Sequence, residues 1–159
     1  MAFRRLIDGL QFARSESQVQ GTLAGEQLPR LMELGCRVRS VHFTLAGGTG
    51  SKGRPSLRLQ ASAQVQLVCQ RCLEPFAASL SVDNELELST SALEIAQADD
   101  DVDRVLATPA MNVAELIEDE LILGLPQVPK HERCAAAGSD DTRPRSSPFE
   151  ALSRLKQGR

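Results

Sequence analysis

Residues 56–70 read SLRLQASAQVQLVCQ, and this stretch decides the fold class. Leu57, Leu59, Ala61, Ala63, Val65 and Leu67 take every second position, with Arg58, Gln60, Ser62, Gln64 and Gln66 between them. A period of two puts each set on its own face of a β-strand, whereas a helix would scatter the apolar set around its axis. The segment is predicted to be a half-buried strand, and its neighbours follow. Upstream, CRVRSVHFTLA (36–46) alternates Val38, Val41 and Phe43 with polar residues after one slip, and the Gly-rich GGTGSKGRP joins the two as a loose hairpin. Downstream, EPFAASLSVDNELELS (74–89) returns as a strand with Phe76, Ala78, Leu80 and Val82 on one face. The short, alternating SQVQGTLA (17–24) suits an edge strand.

Helical periodicity lies outside this block. MNVAELIEDELILGLPQVP (111–129) has Asn112 placed to cap a first turn, with Glu115 three positions on as the capping-box partner. Val113, Leu116, Ile117 and Leu121 trace one face, Glu118, Asp119 and Glu120 read as a solvated one, and Gly124 with Pro126 ends the helix. GEQLPRLMELG (25–35) predicts a shorter helix with Pro29 in its first turn and Gly35 at its end, and IDGLQFARSES (7–17) a short amphipathic one. TSALEIAQADDDVDRVLATPA (90–110) has little pattern and reads as an acidic surface loop, and SPFEALSRLKQ (147–157) as a short basic helix. The expected fold is α+β: an antiparallel sheet of segments 36–46, 55–70 and 74–89, with the 112–125 helix packed on its apolar face and short helices toward the ends. One domain is expected over 1–130, followed by a basic, partly flexible tail over 131–159.

Hydrophobic residues make up 42% of the 159, but the aromatics are five Phe with no Trp or Tyr. The core must be built from Leu, Val, Ile and Ala, and the shortage of aromatics argues against a base-stacking platform for single-stranded nucleic acid. Residues 1–82 carry ten Arg/Lys against five Asp/Glu, residues 83–120 one against twelve, and residues 121–159 seven against four. Basic ends thus flank an acidic belt: charge alone reads first as solvated faces, and the sharper reading has the basic parts meeting RNA phosphates and the belt a basic partner. No apolar run reaches the ~18 residues of a membrane span, and the opening MAFRRLIDGLQFARSES has charges where a signal peptide needs its apolar centre. A soluble, cytoplasmic protein is expected, in a compartment where cysteines act as thiols or ligands rather than disulfides.

Four cysteines hold the concentrated chemistry: Cys36, Cys69, Cys72 and Cys134. The pair in CQRC falls at the turn between two predicted strands. There it can be half of a tetrahedral metal site, a redox pair, or two small core thiols. A closed metal site needs two more donors, and His131 with Cys134, in HERC, are the candidates; zinc is the expected ion. Leu73 stands where a zinc knuckle usually has Gly. A redox pair would sit at a helix N-terminus, and here Arg71 is the only adjacent positive charge. No dinucleotide fingerprint, P-loop, HExxH or Gly-x-Ser-x-Gly elbow occurs, so the chain reads as a non-enzyme without a small-molecule substrate. Arg37, Arg39, Arg54, Arg58 and Arg71 lie on or between the predicted strands and are candidates for contact with RNA or another partner.

VQLVCQRCLEPF (65–76), then VAELIEDELILGLPQVPKH (113–131), then a Cys and a terminal SPFEALSRLK, in that order, resemble the bacterial large ribosomal RNA subunit accumulation (YceD-like) family. The resemblance extends back to IDGLQFARSESQVQGTL (7–23) and covers most of the chain. It implies a small cytoplasmic factor without enzymatic activity that supports synthesis, processing or stability of 23S rRNA. Its partners would be rRNA or a ribosomal protein of the 50S precursor, with no membrane. Cys69, Gln70, Arg71 and Cys72 match the family's CxRC element and His131 with Cys134 its tail pair, although a second CxxC seen in some relatives is missing. The other class open to these residues is a metal- or thiol-dependent enzyme of RNA maturation.

Overall fold

A computed structural model describes residues 6–50, 52–97 and 102–134. In chain order the elements are β1 (Leu6–Ile7), α1 (Gly9–Arg14), β2 (Gln18–Ala24), a 3-10 turn (Gly25–Gln27), α2 (Pro29–Glu33), β3 (Arg37–Thr49) and β4 (Pro55–Val68). β5 (Pro75–Ser89), α3 (Ala92–Ala96), β6 (Arg104–Leu106), β7 (Met111–Asn112) and α4 (Val113–Leu123) follow. A five-stranded sheet runs β2-β3-β4-β5-β6, and β1 with β7 makes a small antiparallel pair. β2 through β5 are antiparallel to their neighbours, and β6 joins β5 in parallel. The fold is the expected α+β.

The three long strands lie where the period-two pattern put them, and Leu57, Leu59, Ala61, Ala63, Val65 and Leu67 all point into the core. The slip in the 36–46 pattern is a bulge: the β3–β4 register shifts between Val38 and Val41, so both valines keep their apolar side inward. β2 is the edge strand expected from its short alternation. α1 crosses β3 where Gly47 lies under the Phe12 carbonyl, leaving no room there for a Cβ.

α4 packs Val113, Leu116, Ile117 and Leu121 against the apolar face of the sheet. Asn112 caps it by accepting from the Ala114 N–H (3.1 Å), while Glu115 accepts from the Asn112 side chain (2.9 Å) rather than from its backbone. The acidic run is not the solvated face expected: Glu118 and Glu120 are buried, and only Asp119 is exposed. Partners supply the reason. Glu118 accepts from Arg30 Nε (2.9 Å) and from the Leu31 N–H (3.0 Å), so its carboxylate serves the first turn of α2. Glu120 accepts from Asn84 on β5 (2.5 Å), and Arg30 also reaches Asp119 (2.6 Å).

Within the 90–110 segment, Ala92–Ala96 and Arg104–Leu106 form regular structure rather than a surface loop. Ser91 caps α3, and β6 pairs Glu87–Ser89 of β5 through Arg104–Leu106. Arg104 Nε donates to the buried Glu87 (3.1 Å). Three residues are too few for a period to register, and the ion pair that anchors them cannot be read from spacing. The helix expected over 147–157 lies outside the described residues. Among the described residues no helix is long and apolar enough to cross a membrane.

Candidate metal centre and basic face

The β4–β5 hairpin builds its own knuckle. Cys69 leaves the ladder with its N–H on the Glu74 carbonyl (2.9 Å), and the Leu73 N–H returns to the Cys69 carbonyl (2.8 Å). Closing so tight a loop needs a left-handed residue, and Leu73 supplies it at φ 65° with its side chain in solvent. The glycine expected at this position is therefore replaced in identity but not in backbone conformation. The chain leaving α4 then comes back to the knuckle. Pro126 and Pro129 keep it from continuing the helix, and the Pro129 carbonyl accepts from the Gln70 N–H (2.9 Å). That bond sets His131 and Cys134 beside the cysteine pair.

The ligand atoms of Cys69, Cys72, His131 and Cys134 all lie within 4.8 Å of one another. Cys69 Sγ is 3.7 Å from Cys134 Sγ, and Cys72 Sγ is 3.2 Å from His131 Nδ1. A disulfide would need about 2.05 Å. Four donors around a tetrahedral ion at ~2.3 Å metal–sulfur distance put the sulfurs about 3.8 Å apart, close to what is found. The cluster can hold a metal ion, and with four protein donors it leaves no position for a water or substrate.

The surroundings favour thiolate at Cys69 and oppose it at Cys72. Cys69 is fully buried, which by itself pushes its thiol up. Backbone donors at Cys72, His131 and Arg71 and the His131 side chain more than reverse this and hold it at about 5. The Arg71 and His131 N–H groups each lie 3.4 Å from that sulfur. At Cys72 a backbone bond from Glu74 pulls the thiol down, but desolvation and the neighbouring Cys69 and Cys134 sulfurs raise it overall. The His131 ring rests on Phe76 at a centroid distance of 4.8 Å, which fixes the side on which Nδ1 faces the sulfurs. Cys36 is apart from this group: it is a core thiol, raised by burial, whose N–H bonds to the Leu31 carbonyl.

The five arginines singled out by sequence do not form one surface. Arg71 folds onto the cluster, Nε 3.0 Å from Cys134 Sγ and Nη2 3.1 Å from the His131 carbonyl. Arg58 is held by Asp83 at 3.0 and 3.1 Å, with Gln60 on the same carboxylate, and Arg54 faces Glu94 at 3.6 Å. Arg37 and Arg39 are exposed on β3 and flank the half-buried Val38. They border a shallow groove on the outer face of the sheet, lined also by Gln64, Gln66 and Ala77. Sequence reasoning missed that Arg71 belongs to the sulfurs. The signal available was its place inside the CQRC loop, where a side chain has the knuckle as its nearest anion.

The sequence profile of the family described as large ribosomal RNA subunit accumulation protein YceD matches residues 57–156. The chain belongs to the YceD family. The matched span takes in β4, the CQRC knuckle, α4 and the returning His131 and Cys134. The large ribosomal RNA subunit accumulation protein YceD of Haemophilus influenzae is 28% identical over 168 residues, covering 95% of this chain and 94% of that protein. No solved structure matches the chain.

Proposed function

We propose that this chain is a non-catalytic factor in large-subunit ribosome biogenesis, which supports synthesis, processing or stability of 23S rRNA in the cytoplasm by binding rRNA. The observation that carries this reading is the family match over residues 57–156, because the family's name ties it to accumulation of large-subunit ribosomal RNA. Cys69, Cys72, His131 and Cys134 hold one zinc as a structural clasp. The thiolate-rich donor set suits that ion, which supplies folding energy here rather than chemistry. The four-donor closure supports this over an RNA-maturation enzyme, which would need an open position at the metal.

Arg37 and Arg39 meet the phosphates, and the Gln64 and Gln66 amides beside them reach sugar hydroxyls of structured RNA. The competing mode is a basic ribosomal protein docked on the acidic belt. Purified protein and a precursor 23S fragment test the choice. Affinity should fall with salt, and Arg37→Glu with Arg39→Glu should weaken binding without unfolding the domain. Unchanged binding in that variant, together with loss on charge reversal between residues 83 and 120, would transfer the contact to protein. Turnover of the precursor by pure protein would overturn the non-catalytic reading.

A further inference from the structure

The two edges of the sheet are built differently. β6 is three residues long, its Arg104 is tied to Glu87 and to the Glu94 carbonyl, and α3 packs beside it. An edge so short and so charged offers little to a stranger. Among the described residues, β2 has none of these devices. It runs seven residues, QVQGTLA, without a charge or a proline, and its register with β3 is unbroken from Gln18 to Ala24. Natural sheets rarely leave such an edge free unless something pairs with it.

The outward groups can be named. The Ser17 carbonyl accepts from the Gly47 N–H (2.8 Å), and hydrogen bonding alternates along an antiparallel ladder. Residues 17, 19, 21 and 23 therefore bond to β3, and Gln18, Gln20, Thr22 and Ala24 turn their backbone groups outward. The Ala24 N–H already finds the Gln27 side chain (3.0 Å), which leaves Gln18, Gln20 and Thr22 to offer both donor and acceptor.

We propose that this edge is a homodimer interface, in which β2 of one copy pairs antiparallel with β2 of another about a two-fold axis at Gly21. The register sets Gln20 opposite Thr22 of the second copy, twice, and Gln18 opposite Ala24. Gln20 and Thr22 supply the ladder's bonds as outward-facing residues, and Ala24, its N–H held by Gln27, marks the ladder's end. The outer side chains meeting across the axis are then amide against hydroxyl, and on the inner face Val19 meets Leu23. Gly21 faces Gly21 on the axis, where absence of side chains lets the backbones close. An uncharged strand gives no attraction to a basic or acidic partner but suits its own copy, with no like charges within the paired segment. Glu16 and Glu26 lie just outside it and near one another at each end of this register, so pairing tightens as salt screens them. This does not rest on the proposed RNA contact, which salt weakens.

Sedimentation equilibrium of the full chain from low micromolar to near-millimolar concentration tests it, with amide exchange as the local readout. A dimer is expected whose formation slows exchange at Gln20 and Thr22, while Val19 and Gly21 are protected at every concentration. Gln20→Pro removes only an outward N–H and leaves the β3 ladder intact, so it should raise the dimer dissociation constant at least about tenfold with the fold retained. Thr22→Lys, with a cation on each side of the axis, should act in the same direction. A monomer throughout, a dimer indifferent to both variants, or Gln20 and Thr22 protected in a species that sediments as a monomer would overturn the proposal. The last outcome would place a segment of the same chain on the edge.

Discussion

Leu73 and Arg71 are where the knuckle departs most from expectation, and both departures are local. Leu73 takes a left-handed conformation that costs an ordinary residue about 1–2 kcal/mol. Its side chain packs on little, so Leu73→Gly should stabilise the domain by up to about 1 kcal/mol, read as an upward shift of the denaturation midpoint with zinc content unchanged. Arg71 lies against Cys134 and the His131 carbonyl, where it would offset the excess negative charge of three thiolates on a divalent ion held there. Arg71→Gln should lower zinc affinity about 10- to 100-fold in a chelator competition, with Arg71→Lys recovering part of it. In metal-free protein the Cys69 thiol ionises near 5 instead of its ordinary 9.0. A depressed pKa means the folded state gains from this thiolate fully above pH 9 and loses the gain as pH falls toward 5. Thiolate absorbance in metal-free protein should therefore show a step near pH 5 that Cys69→Ser removes. None of this was legible in composition: spacing brought His131 and Cys134 into candidacy, but which cation serves the sulfurs depends on how the hairpin folds back.

At the scale of elements, the long strands and α4 were legible because periodicity is repeated many times over in each. Six alternating apolar residues from Leu57 to Leu67 admit no second reading, and even the bulge at Val38–Val41 was visible as a slip. β6 and α3 were not legible, since three and five residues carry no period and are held by side-chain contacts, Arg104 to Glu87 and Ser89 to Glu94. The acids of α4 failed for a related reason. Burial of Glu118 depends on Arg30, 88 residues away in sequence, and on the free N–H groups of α2. Glu118→Ala should cost about 2–3 kcal/mol by leaving the buried Leu31 N–H without an acceptor and Arg30 with only the exposed Asp119 carboxylate and the Glu115 carbonyl. Asp119→Ala, at a half-exposed pair, should cost less than about 1 kcal/mol. Equal losses for the two in urea denaturation would contradict the capping role given to Glu118.

For the whole molecule, the four-donor cluster joins the far end of one hairpin to the chain leaving α4, so a metal held there would bridge Cys69 and Cys134, 65 positions apart. Removing it frees a long loop, and chelation or Cys134→Ser should lower the melting temperature by several degrees and abolish the zinc found by elemental analysis. Gently purified protein without zinc would remove the clasp from the account. The family was legible from three separated motifs in order, while the contact surface was not. Of five candidate arginines, three are engaged within the fold, and only the folded chain sets Arg37 and Arg39 apart.

The central claim is that this chain acts on large-subunit rRNA by binding it through that face. Cross-linking in cells followed by gradient sedimentation tests it most directly, comparing the chain with its Arg37→Glu, Arg39→Glu form. The account predicts that the unaltered chain travels with large-subunit precursors and cross-links to 23S rRNA near β3. The altered chain, equally stable and equally loaded with zinc, should do neither. A chain that stays at the top of the gradient, in cells whose 23S rRNA and 50S subunits are unchanged by its loss, would contradict it.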